Sequence, residues 1–192
     1  MTETALAETR AWVDRAVIGL QLCPFAKAPQ VKGQVRYIAS EAVDADALLS
    51  DLVEELKLLA AASPDRIETT LLVHPRAFAD FEDHNDFLEI AEAALVALDL
   101  EGVIQIASFH PEYRFAASAP DDIANATNRS PHPTLHLLRE ESIERALATF
   151  GDPDSIFEAN IATMERLGPD GWAALRRRCR DDADAAAGRL SG

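Results

Sequence analysis

Near the N-terminus, apolar positions fall on one side of a helix. Trp12, Val13, Ala16, Val17 and Leu20 recur at one-, three- and four-residue steps, the stripe of a helix packed on one side. Gly19 and Pro24 close it, and LCPFAKAPQVKG reads as a proline-punctuated turn. Residues 34–40 (QVRYIAS) alternate as a half-buried strand does. Leu48, Leu49, Leu52, Val53, Leu56 and Leu59 mark a second helix, with Asp44 as its cap and Ser63-Pro64 as its stop. Residues 68–74 (ETTLLVH) have a continuous apolar centre halted by Pro75, the pattern of a strand covered on both faces. A third helix over residues 80–98 takes its stripe from Phe81, Leu88, Ala91, Leu95 and Leu98, and VIQIASF at 103–109 is a third strand.

Strand, helix, strand, helix, strand is the order of parallel crossovers, so the expected fold is α/β: a mainly parallel sheet of three or four strands packed by helices. Residues 134–139 (TLHLLR) are either a fourth strand or the start of a helix running on through Ile143, Ala146 and Leu147. Asp152-Pro153 reads as a cap with proline at the first helical position. Ile156, Phe157, Ile161, Met164 and Leu167 carry that helix to Gly168, and Pro169 begins another with Trp172, Leu175 and Cys179 on one side. One domain over residues 1–180 with extra C-terminal helices is therefore expected, and residues 181–192, with little to bury, as a frayed tail.

Between Phe109 and Thr134 no helical or strand period is sustained. Loops of this length in compact domains are functional or disordered, and Tyr113, Phe115, Ile123, His132 and several prolines argue against disorder. Three of the five histidines precede a proline: His74, His110 and His132. Two of them, His74 and His110, end predicted strands. If those strands are parallel, both imidazoles lie at the sheet edge where open α/β sheets bind ligands, and proline restricts each backbone to an extended form. Histidine suits proton transfer near neutral pH, which makes His110 and His74 the candidate acid/base pair. Each is about as readily explained as a strand-ending residue bonded to a turn carbonyl. A metal held by His74, His110 and either His132 or His136 is the less favoured reading, because no HExxH or carboxylate-containing spacing accompanies them.

In NATNRSPHP, Arg129 stands among Asn125, Asn128 and Ser130, and Arg114 lies just past His110. A guanidinium flanked by amide and hydroxyl groups matches a carboxylate or phosphate, and His136 is added to this ligand-binding set. The competing role for Arg129 is to pair with Asp121 or Asp122 and pin the loop. Those two aspartates follow Ser118-Ala119-Pro120 as a capping box would and are expected to start a short helix. Cys23 in LCPF lacks the second cysteine of a CPxC redox site; it is either a candidate nucleophile or an inert apolar filler. Asn160 interrupts an apolar stripe and is a candidate support for the loop.

Composition narrows the partners. A net charge of -15 over 192 residues repels phosphate backbones and anionic membrane surfaces, which argues against nucleic acid or membrane as a partner; the small anionic metabolite is expected from the local cluster around Arg129. Two distant cysteines, an acidic N-terminus and the lack of an 18-residue apolar run fit a cytoplasmic protein. No Gly-rich dinucleotide turn or Walker sequence follows any predicted strand, so the cofactor stays unknown.

GLQLCPFAK, LLVHPRAFADFEDHNDFLEIAE and QIASFHPEYRFAASAPDDIANATNRSPHPTLHLLREESIERA together cover most of the chain up to the C-terminal helices. On these stretches the sequence resembles a bacterial family defined as domain of unknown function 1415. The resemblance implies a compact, mostly bacterial, cytoplasmic protein and carries no activity. From the residues themselves, the expectation is a pocket at the strand ends beneath the 111–133 loop in an enzyme of hydrolase or transferase type. A non-catalytic ligand-binding or regulatory protein using the same pocket is the alternative.

Overall fold

The computed structural model describes residues 2–116, 118–150 and 153–190. Helix α1 (Thr2–Trp12) continues as a π-turn over Val13–Ile18 that ends at Gly19, where a Cβ would collide with the Arg15 carbonyl oxygen. A short helix α2 (Lys27–Val31) leads into β1 (Val35–Ala39), α3 (Ala45–Ala61), β2 (Thr69–Val73), α4 (Phe81–Ala97) and β3 (Ile104–Phe109). After the long loop come a 3-10 helix (Ile123–Asn128), β4 (Thr134–Arg139), α5 (Glu140–Phe150) and α6 (Pro153–Leu190). Local chemistry accounts for the helix starts: Asp44 accepts the Ala47 N–H at 2.9 Å, and Asp80 accepts those of Glu82 and Asp83.

Residues 134–139 form a strand, and that strand corrects the expected sheet. The order is β1-β2-β4-β3, with β1 parallel to β2 but β4 antiparallel to both β2 and β3. The sheet is mixed and mostly antiparallel rather than mainly parallel. The cause is the 109–134 loop, which re-enters at the edge where β3 stopped. A chain re-entering there has to run back along its neighbours, whereas a parallel partner would need a crossover to the far edge. β1, β2 and β3 still point the same way, as their crossover helices require.

Strand alternation sorts the core into two layers. Leu72 of β2, Ile104 and Ile106 of β3 and Leu135 and Leu137 of β4 pack with Leu48, Leu52, Leu56 and Leu59 of α3 and Phe87, Ala91 and Leu95 of α4. On the other face, Tyr37 and Leu71 pack with Trp12, Val13 and Ala16 of the N-terminal helix and Met164, Trp172 and Leu175 of α6. The chain is thus a single mixed α/β unit, a four-stranded sheet between two helical layers. Arg139 ties the end of β4 to α3: its guanidinium donates to the carbonyls of Leu59 and Ala62 at 2.7 Å and of Ile67 at 3.1 Å, satisfying the C-terminus of α3.

Two expectations for the C-terminal region change. Gly168 has φ 66° and breaks α6 where Pro169 was expected to begin a new helix, but the segment beyond residue 180 is helical to Leu190, with Ala183 buried and Asp182 paired with Arg15. Asn160 supports the turn after the N-terminal helix, donating to the Leu22 carbonyl at 2.8 Å, and not the 111–133 loop. The Asp152 cap lies outside the described residues. Among the described residues no helix is long and apolar enough to cross a membrane.

Candidate functional site

The two strand-ending histidines do come together, but inside the protein. His74 and His110 follow β2 and β3, and their backbone N–H groups donate to the carbonyls of Pro133 and Asn128 in the returning loop. Between their rings lies His84 from α4, 5.2 Å from His74 and 5.1 Å from His110 between centroids. All three are fully buried. His110 has no free nitrogen: Nδ1 accepts the Glu112 N–H at 3.1 Å, so Nε2–H donates to the Phe78 carbonyl at 3.1 Å. His74 donates from Nδ1 to the Ala77 carbonyl at 3.2 Å, while its Nε2 and both nitrogens of His84 have no partner. Burial lowers all three pKa values, to about 4 for His74 and about 3 for His84. At neutral pH this is an uncharged stack with no route to solvent. His84 was not singled out in the sequence, although its position one turn into a helix opening on Asp80 aims it at the strand edge.

Alternation along β4 places His136 on the opposite face of the sheet, beside Phe109 at 5.9 Å. Thr69 Oγ1 donates to the Leu137 carbonyl at 2.6 Å, so His136 Nε2–H must be the donor in its 2.8 Å bond to Thr69 Oγ1. Burial brings its pKa to about 4. The sheet therefore stands between His136 and the other two proposed metal ligands, His74 and His110. His132 is bound to Glu8 of α1, Nε2 to Oε2 at 2.5 Å. Among the described residues no three His, Cys, Asp or Glu side chains are placed to hold a metal ion.

The remaining residues of the predicted set separate into loop fasteners and cavity walls. Asn125 is a fastener: its Oδ1 accepts from the Phe115 N–H and the Ser118 hydroxyl, and its Nδ2 donates to the Ala119 carbonyl. Asp122 caps the 3-10 helix by accepting the Ala124 N–H. Asn128 contributes its carbonyl to His110. Arg114 is paired with Glu82 at the start of α4. Cys23 follows Leu22, which packs in the layer on the far side of the sheet from the histidine stack, and burial raises its thiol pKa, the opposite of what a nucleophilic cysteine needs.

Arg129 and Ser130 lead to a cavity on the α1/α6 face. Arg129 does not pair with Asp121 or Asp122; it donates from Nε to the Tyr113 carbonyl at 3.1 Å and from Nη2 to the Pro120 carbonyl at 2.8 Å. Its guanidinium borders a cavity of about 210 Å³ lined also by Glu8, Trp12, Ser130, Pro131, Trp172, Arg176, Cys179 and Arg180. Trp172, Arg176 and Arg180 recur every four residues and share one helical face. That spacing was the available signal for the two arginines, hidden within the basic run RRRCR. Arg176 and Arg180 are exposed at the mouth and, among the described residues, make no ion pair, while Trp12 Nε1 is a buried donor without an acceptor. Burial and then the adjacent Arg176 push the Arg129 guanidinium below its ordinary pKa. A second, more open hollow near the strand ends is lined by Asp80, Glu82, Glu112, Arg114 and the other side of Arg129, with the histidines buried beneath it.

Fold and site together define a mixed α/β protein with an arginine- and tryptophan-lined cavity on one helical face. The chain belongs to the family described as a protein of unknown function (DUF1415), whose profile matches residues 4–174. Arg176, Cys179 and Arg180 lie just past the matched stretch. No curated protein and no solved structure matches the chain.

Proposed function

We propose that the protein binds a small anionic metabolite in the cavity between α1, the end of the 111–133 loop and the second half of α6. The observation that carries the reading is the convergence of Arg129, Arg176 and Arg180 with the acceptorless Trp12 Nε1–H, in a chain whose net charge is -15. Like-charged guanidiniums brought together repel, and an anion among them removes that repulsion while accepting charge-assisted hydrogen bonds. A buried N–H without an acceptor costs about 1–3 kcal/mol, which a ligand oxygen recovers.

This reading keeps the anionic ligand expected from the sequence and moves its site to the other face of the sheet. It shares the non-catalytic class of the ligand-binding alternative but not its pocket, and it departs from the histidine-centred hydrolase or transferase because His110 has both nitrogens engaged and His74 and His84 are sealed. Thermal-shift screening against phosphorylated and carboxylated metabolites tests it. Ligands that bind the folded form raise its melting temperature, and Arg176→Ala, at an exposed position, removes the shift while leaving the unliganded melting point unchanged or slightly higher, as relief of the guanidinium repulsion requires. A ligand that shifts both proteins equally refutes the assignment of this cavity.

A further inference from the structure

The groups lining the cavity lie at two levels of burial. The inner pole is Trp12, 3% exposed with its Nε1–H unpartnered, and the half-buried Arg129, whose Nε and Nη2 are already bonded to backbone carbonyls. At the outer pole Arg176 and Arg180 stand one helical turn apart, about 6 Å along the axis, and both are exposed. Three guanidiniums line the space against one carboxylate, Glu8, an excess of two positive charges, and Glu8 is already engaged by His132 at 2.5 Å. The helix carrying the outer pole is fixed in place: Asp182 pairs with Arg15, and the Cys179 thiol lies 3.7 Å from the Ala11 carbonyl.

A ligand with a single anionic group offsets one of the two excess charges and leaves the other. The space, about 210 Å³, is smaller than the ~300–1,000 Å³ of sites for drug-sized molecules, so it suits a chain of a few carbons. Resting on the anion-binding reading above, we infer that the ligand is a short acid with two anionic groups, a dicarboxylate or a phosphorylated carboxylic acid, one group on Trp12 and Arg129 and the other on Arg176 and Arg180. The inner group accepts the indole N–H, which supplies geometry as well as charge. The outer group takes one or both arginines of the helix.

Trp12 and Trp172 are the chain's two tryptophans and both line the cavity, so intrinsic fluorescence reports its occupancy directly. Titrations of the full-length protein with malonate, succinate and glutarate, each beside the monocarboxylate of equal length, and with phosphoglycolate beside glycolate, test the proposal. The best doubly anionic probe is expected to bind at least about tenfold more tightly than its singly charged counterpart, one added charge-assisted contact. Arg180→Gln is expected to bring that probe down to the affinity of the counterpart, with circular dichroism showing the helix intact. Equal affinities within every pair overturn the two-group inference and leave the anion-binding reading standing. If no probe of either kind perturbs the tryptophans saturably, both fall.

Discussion

The buried imidazoles make acid the sharpest probe of the fold. His84 has neither ring nitrogen bonded, and burial takes its pKa to about 3, while His74 and His136 are held near about 4 for the same first reason. In the unfolded chain each protonates near its ordinary value of about 6.5. The folded state then binds fewer protons, so the histidines' contribution is constant above that pH and stability falls as pH drops from there towards the folded pKa values. Each group costs about 1.4 kcal/mol per pH unit in that window. Between about pH 7 and pH 5 this is about 2 kcal/mol for each and ~6 kcal/mol for the three, against a total domain stability of ~5–15 kcal/mol. His84→Leu removes one of the three and also two unpartnered polar atoms; the lost ring stacking is worth ~0.5–1.5 kcal/mol. The variant is expected to lie within about 1 kcal/mol of the native protein near neutral pH. Its loss of stability down to about pH 5 should be smaller by about 2 kcal/mol. Urea unfolding followed by tryptophan emission at the two pH values measures this, and carboxylate effects common to both proteins cancel in the difference. If both proteins lose the same stability within ~0.5 kcal/mol, His84 is not the uncharged buried group described here.

Arg139→Ala strips three carbonyl partners from the end of α3 and the segment leading to β2 and is expected to destabilise by ~3–5 kcal/mol, read as a lowered urea midpoint; a change below ~1 kcal/mol would show that water replaces the guanidinium. Asn125→Ala removes a side chain bonded to Phe115, Ser118 and Ala119. It should expose the 111–133 loop to limited proteolysis while the sheet amides keep their hydrogen-exchange protection, and an uncut loop would deny Asn125 its fastening role.

The parts of the fold legible in the sequence were those with a period or a cap. The leucine stripe of α3 with Asp44 at its head, and the run from Thr69 to Val73 stopped before His74-Pro75, place those elements within a residue or two because local sterics and burial agree. The direction of β4 was not legible. TLHLLR is too short for its periodicity to separate strand from helix, and nothing in it records that the preceding loop returns to the edge it left. His74 and His110 could be placed at one edge because a proline ends each strand in the same direction. Whether that edge was open or sealed depended on His84, whose flanking residues Asp83 and Asn85 are polar and exposed and give no sign that an imidazole fills the gap between two others. Arg176 and Arg180 are not legible in the sequence for a related reason: among neighbouring arginines only three-dimensional packing decides which side of α6 turns to Trp12 and which to water.

The sheet divides the molecule into halves with different electrostatic histories. On the α3/α4 side, polar side chains at the strand ends are covered and kept neutral by burial, with His110 held by two backbone bonds, His74 by one and His84 by stacking alone. On the α1/α6 side, charge is gathered rather than removed, with Arg129 held in place by carbonyls that do not neutralise it and Arg176 and Arg180 presented by a helix clamped to α1. The irregular loop serves both halves at once. Its Asn128 and Pro133 carbonyls close the histidine side, and Arg129, next to Asn128 in sequence, reaches the cavity on the other side. A substitution that loosens the loop is therefore expected to unseal the stack and displace the cationic wall together, which links acid sensitivity to ligand affinity through one stretch of chain.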